Sequence, residues 1–143
     1  MIQKLTTELL RTHTDSYIQT MHTLVPTTYT DTAVIFDMFE QMTLQGTQVY
    51  VAIDDEYGIV WSISVLVETK MIRGGVRAGH IEDLVVHESA QWQGIWWKLL
   101  ERAMQAAKEL WCYKIILDCD TELAGYYEKK WFETNGVFMR KYL

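Results

Sequence analysis

Hydrophobic and polar positions change period several times along this chain, and the changes mark its elements. Val49–Ile53 and Ile59–Glu68 are β-branched apolar runs joined by the acidic turn Asp54-Asp-Glu-Tyr-Gly58, which predicts an antiparallel hairpin. Gly79–His87 alternates into a continuous apolar run and predicts a buried strand. After it, Leu99, Leu100, Ala103, Met104, Ala107 and Leu110 recur at helical spacing with Lys, Glu, Arg and Gln between them. Tyr113–Cys119 predicts another buried strand, Thr121–Lys130 a short helix and Phe132–Tyr142 a final strand. Upstream, Ile2–Leu10 is a mixed apolar, β-branched run that predicts a first strand. Thr14-Asp-Ser offers an N-cap to a helix carrying Tyr17, Ile18, Met21 and Leu24, and Pro26 stops it. A second helix starts at Thr30-Asp-Thr, with Val34, Ile35, Met38, Phe39 and Met42 as its stripe, and ends at Gly46. The order β-α-α-β-β-β-α-β-α-β predicts an α/β (α+β) fold, a mixed central sheet covered by helices, with residues 1–143 as a single domain.

Composition narrows the function classes. The 143 residues suffice for one real core. A net charge of −6 argues against nucleic-acid binding, which needs basic patches to displace counterions. No apolar run approaches the roughly 20 residues of a membrane span, and polar residues interrupt the N-terminus where an export signal would be apolar. A cytoplasmic protein with no membrane partner is the expectation. Cys112 and Cys119 lack metal-ligand spacing, and their separation on a strand puts them on opposite faces, so two reduced thiols and no metal are expected.

The turn between the Gly79–His87 strand and the following helix is a candidate anion site. A strand-to-helix turn aims unpaired backbone N–H groups and the positive end of the helix dipole at one point. Here it reads Gln91-Trp-Gln-Gly94-Ile-Trp-Trp97, with three tryptophans where a phosphate-cradling loop wants small residues.

Three segments carry a family resemblance: Gly79-His-Ile-Glu-Asp-Leu-Val-Val86, Cys112-Tyr-Lys-Ile-Ile-Leu-Asp-Cys119, and Tyr127-Glu-Lys129 followed by Phe132. Together they resemble the GCN5-related N-acetyltransferase (GNAT) superfamily, and within it the eukaryotic-type glucosamine-6-phosphate N-acetyltransferases. The clear likeness covers about residues 60–139. It implies acetyl-CoA as donor, direct transfer to an amino-sugar phosphate and a homodimer whose C-terminal strands help complete the partner's site. It implies cofactor contacts from Leu84, Val85, Val86, Gln91, Trp92, Gln93, Gly94, Ile95, Trp96, Trp97 and Tyr127. Tyr127 becomes the donor to the departing thiolate, and Glu82, Asp83 and Asp118 the carboxylates that bind the sugar and support its amine. On a regular strand Glu82 and Asp83 point to opposite faces, so one of them reaches the cleft. Lys70 and Arg73 match a segment that contacts the substrate phosphate, with Tyr113, Lys114 and Arg140 as further acceptor contacts. The alternatives are another amine acceptor, or a binding module whose cofactor loop is plugged by Trp92 and Trp96.

The chain departs from the resemblance in one recurrent way. Trp61, Trp92, Trp96, Trp111 and Trp131, five of its six tryptophans, stand where the family tends to have glycine. A close backbone approach, or a positive φ, is met by glycine at little cost. The expectation is a decoding difference: UGA codons read as glycine by the native cell and written here as tryptophan.

Overall fold

The computed structural model describes residues 1–26, 31–90, 94 and 96–143. Five strands form one mixed sheet in chain order: β1 (Ile2–Lys4), β2 (Thr47–Asp54), β3 (Gly58–Lys70), β4 (Val76–Val86) and β5 (Cys112–Ile116). The first three junctions are antiparallel, and β4–β5 is parallel. A parallel junction needs a crossover, supplied by α4 (Trp96–Glu109). The other helices are α1 (Thr7–Thr12), α2 (Thr14–Leu24), α3 (Ala33–Leu44) and α5 (Thr121–Glu128).

Strand alternation gives the sheet two apolar faces. On one, Leu99, Leu100, Ala103, Ala106 and Ala107 of α4 pack on Tyr50, Trp61, Ile63, Val65 and Ile81. The alanines let α4 lie close: a Cβ on Gly79 would stand 3.2 Å from Ala107 Cβ. On the other face, Leu5, Leu10 and Ile35 meet Val49, Val51 and Ile59. The hydroxyls of α2 tie that layer down. Thr20 Oγ1 donates to the Ile59 carbonyl at 2.6 Å, and Ser16 Oγ accepts the Ile59 N–H at 3.0 Å. Among the described residues no helix is long and apolar enough to cross a membrane.

The structure corrects several expectations. The run Ile2–Leu10 is three residues of strand followed by α1, because Thr6 Oγ1 accepts the Leu9 N–H at 3.2 Å and starts a helix that buries Leu10. The β3 strand runs on to Lys70, and a short turn at Ile72–Gly74 closes a second hairpin. The strand predicted over Tyr113–Cys119 stops at Ile116 and is not buried: Tyr113, Lys114 and Ile116 are exposed because β5 is the sheet edge. The expected strand Phe132–Tyr142 is absent. Extended backbone needs a ladder partner, and among the described residues this tail has none; Val137, Phe138, Met139 and Tyr142 lie exposed.

Candidate active site

The sheet opens at one place. β4 and β5 are paired from Arg77/Cys112 to His80/Ile116. Beyond that point β4 continues to Val86 alongside β3, while the chain after Ile116 leaves the sheet. Among the described pairings, the β5-facing edge of β4 from Ile81 to Val86 has no partner. A parallel pair that parts this way leaves a wedge walled on one side by backbone groups free to bind something else.

The wedge coincides with a distortion of β4. Glu82 pairs with Ser64 and Val85 with Ser62, so Asp83 and Leu84 together oppose Ile63, and Asp83 has φ 49°. This is a β-bulge, which re-aims side chains and unpairs backbone. It interrupts the strand alternation at Asp83 and Leu84, the two residues that share one opposing residue.

Carboxylates gather here. Glu82 and Asp83 reach solvent, yet nearby protein strips enough water from each to matter. Burial lifts Glu82 above the ordinary carboxylate range, and the charges of Asp118 and Asp83 lift it further. Burial alone lifts Asp83. The Asp118 charge thus reaches across the wedge from the segment after β5. Arg140 does not sit on a strand face as expected. It lies on the exposed tail, donating to Tyr142 Oη at 3.0 Å and feeling the charges of Asp118 and Asp120.

Tyr127 stands near the end of α5, against the first residue of α4. Its ring is half-buried, edge-on to Trp96 at 6.3 Å between centroids and to Phe132 at 5.8 Å. Burial, with a smaller contribution from Cys119, pushes its phenol upward, so the group stays protonated at neutral pH. Tyr126 is exposed and also touches Trp96, at 6.4 Å.

The expected acceptor cations fall into two groups. Arg73 and Lys114 flank the exposed ring of Tyr113, with Arg73 Cζ 5.3 Å and Lys114 Nζ 5.5 Å from its centroid. Lys70 instead pairs with Glu68 at 2.6 Å, and the other Glu68 oxygen meets His80 Nε2 at 2.8 Å. These bonds, Lys70's first, hold Glu68 below its usual range. The Lys70–Glu68–His80 row was not anticipated. It follows from the strand register: Glu68 pairs with Ala78 and Leu66 with His80, which sets Glu68 and His80 diagonally on neighbouring strands.

Of the expected cofactor contacts, Leu84, Val85 and Val86 line the free β4 edge and Trp96 opens α4. Gly94 has φ 63°, with open space where a Cβ would point. Trp97 is half-buried beneath Lys130 Nζ, 3.7 Å from its ring. Gln91, Trp92, Gln93 and Ile95 lie outside the described residues. A free strand edge, a helix N-terminus behind a left-handed glycine and a protonated phenol fit a thioester carried on a long phosphorylated arm; the indole of Trp96 against Tyr127 does not. Among the described residues no cluster of ligands suited to a metal ion occurs.

A mixed sheet that splays after its fourth strand, with a crossover helix pointing its N-terminus at the split, defines the acetyltransferase class of fold. The GNAT acetyltransferase family model matches residues 18–131, and the chain belongs to that family. Relatives include the probable glucosamine 6-phosphate N-acetyltransferase 2 of Oryza sativa, 45% identical over 54% of this chain and 47% of the relative. Rice glucosamine 6-phosphate N-acetyltransferase 1 is 37% identical over 73% of this chain and 65% of the relative. The chain thus spans about half to two thirds of the curated relatives it matches. The crystal structure of the Arabidopsis thaliana glucosamine-6-phosphate N-acetyltransferase superposes with a TM-score of 0.89 at 30% identity, covering 99% of this chain and 97% of that one. A Trypanosoma brucei acetyltransferase gives a TM-score of 0.91 at 25% identity, covering 100% and 99%.

Proposed function

We propose that this chain transfers an acetyl group from acetyl-CoA to the 2-amino group of glucosamine 6-phosphate. The reading is supported by the parting of β4 from β5 after His80, by the charge of Asp118 acting on Glu82 beside that parting, and by the protonated Tyr127 phenol against Trp96 at the start of α4. The acceptor follows from the relatives, several of which bear that activity as their name.

Acetyl-CoA supplies an activated acyl group whose carbonyl carbon accepts an amine. The chain's residues have the remaining tasks. The unpaired β4 edge beside Val85 offers N–H groups to a carbonyl whose oxygen gains charge. Glu82, Asp83 and Asp118 hold the acceptor ammonium and take its proton. Tyr127 keeps its proton and donates it toward a departing thiolate. Lys70, Arg73 and Lys114 are the cations available to a sugar phosphate. The exposed edge of β5 and the apolar tail Val137–Met139 support a homodimer in which each covers the other's counterpart.

Steady-state CoA release tests the reading against a panel of amines. Glucosamine 6-phosphate should give the highest kcat/KM; a preferred protein N-terminus or unphosphorylated amine would overturn it. Lys70→Ala should raise KM for glucosamine 6-phosphate by about 10-fold to 100-fold, the loss of a charge-assisted phosphate contact, with kcat little changed. Equal effects on glucosamine and on its phosphate would remove Lys70 from phosphate binding.

The acid side of the pH profile carries a second expectation. Glu82 and Asp83 are held above the ordinary carboxylate range, so each takes up a proton before a free carboxylate does. Activity that needs them ionised falls as pH drops through those raised values. Stability runs the other way: the folded chain binds these protons before the unfolded chain, so acidification across that window stabilises the fold. Glu82→Gln should displace the acid limb of kcat relative to the parent with the same substrate. An unmoved limb would exclude Glu82 as proton acceptor.

A further inference from the structure

Among the described residues four non-glycine residues have positive φ, and two are tryptophans: Trp111 at 60° and Trp131 at 68°. Both end a helix in the same way. The Trp131 N–H donates to the Glu128 carbonyl at 3.1 Å, and the next N–H, of Phe132, donates to the Tyr127 carbonyl at 3.2 Å. These are the two bonds of a Schellman ending, in which the left-handed residue is usually glycine. The apolar contact that accompanies the motif is also present, as Tyr127 against Phe132. At the end of α4 the Trp111 N–H donates to the Lys108 carbonyl at 3.0 Å, the inner bond of the same motif. A Cβ at either place crowds its own backbone. Packing offsets nothing, because Trp111 is 86% exposed and Trp131 94%.

Two further tryptophans misfit by different criteria. Trp61 is 0% exposed, and its Nε1 is buried with no partner. An indole N–H is a donor only, so this site leaves it unsatisfied. Trp96 opens α4 and lays its ring against Tyr127, in the wedge. Trp97 is different: an ordinary helical residue, half-buried, with Lys130 above its ring.

We infer that positions 61, 96, 111 and 131 are glycine in the polypeptide made by the cell that carries this gene, through UGA codons read there as glycine, while position 97 is a true tryptophan. UGA is assigned to tryptophan in some genetic codes and to glycine in others. One reassignment accounts for two left-handed indoles in solvent, one orphaned buried N–H and, on the proposed acetyltransferase reading, one indole at the α4 N-terminus where the cofactor would lie. It also turns Trp97 into an internal control.

Peptide mapping by mass spectrometry of the protein isolated from its native cell decides the matter. The expected result is glycine at all four positions and tryptophan at 97; tryptophan at 111 and 131 overturns the inference. The coding triplets test the same point: UGA at the four positions and UGG at 97 are expected, and UGG at 111 and 131 overturns it. A stability measurement tests the backbone strain separately. Trp111→Gly and Trp131→Gly should each raise Tm by about 2–5 °C, from relief of a left-handed β-carbon. Trp97→Gly, which removes a half-buried ring under Lys130 in the first turn of α4, should lower it. Lower Tm values for the first two would refute the strain. None of these readouts needs catalysis, so they stand apart from success or failure of the acetyltransferase assay.

Discussion

Replacing Tyr127 by phenylalanine is expected to lower kcat by about 10²–10³-fold, the range for loss of a positioned proton donor, and to leave KM for acetyl-CoA nearly unchanged. The substitution deletes one hydroxyl and keeps the ring, so the edge-on contacts with Trp96 and Phe132 survive. The fold and the Schellman ending of α5 should therefore be intact, which circular dichroism and Tm will report. The size of the effect follows from the leaving group. On the proposed mechanism, a thiolate without a donor would depart with its full charge, and that charge is what the phenol would neutralise. Burial holds the phenol protonated, so the parent carries its donor across the neutral range. A kcat within about threefold of the parent, smaller than any general-acid contribution, would show that Tyr127 is a packing residue and that the donor lies elsewhere.

Leu100→Ala is expected to cost about 3–4 kcal/mol of unfolding free energy, through lost transfer energy and the cavity left behind. Leu100 is wholly buried on the α4 face of the sheet, in the cluster that holds Tyr50, Trp61 and Val65. Those partners sit on strands pinned by ladders on both sides, so the site has little freedom to collapse. For a chain of this length the loss corresponds to a Tm lower by about 8–16 °C. Urea unfolding should show a lower midpoint at unchanged slope, whereas Glu101→Ala next to it, on the exposed side, should stay within about 0.5 kcal/mol. A cost below about 1 kcal/mol for Leu100 would mean that α4 does not bear on the sheet as described. The consequence reaches the site, because α4 starts at the wedge with Trp96, two residues after Gly94.

Local pattern made the central elements readable. The apolar runs of β3 and β4 and the spacing of Leu99, Leu100, Ala103 and Ala107 each record burial directly, and the structure places them accordingly. The identities at the wedge were legible for a different reason. Glu82, Asp83, Asp118 and Tyr127 were named through a resemblance, and that the Asp118 charge acts on Glu82 is a tertiary fact that spacing does not encode. What pattern could not supply lies where geometry is set by neighbours. The bulge at Asp83 and Leu84 depends on how β3 pairs across it, which spacing along β4 alone does not record. The tail from Phe132 onward has strand-like composition but no ladder to join among the described residues, and composition carries no partner. The resemblance matched Lys70 to a phosphate contact; that it also pairs with Glu68, which meets His80 as well, depends on the register of β3 against β4. Trp111 and Trp131 were suspect as glycine replacements, and the positive φ at each gives that suspicion a physical form.

The most direct test of the central claim is the product of one reaction. Protein with tryptophan at positions 61, 92, 96, 111 and 131, and protein with glycine at the same five, would each be mixed with acetyl-CoA and glucosamine 6-phosphate and the product examined by NMR. The predicted result is N-acetylation at C2, one CoA released per sugar acetylated, with the glycine form the faster because the channel beside Tyr127 is open. Absence of N-acetylglucosamine 6-phosphate from both forms, with both folded, would contradict the claim.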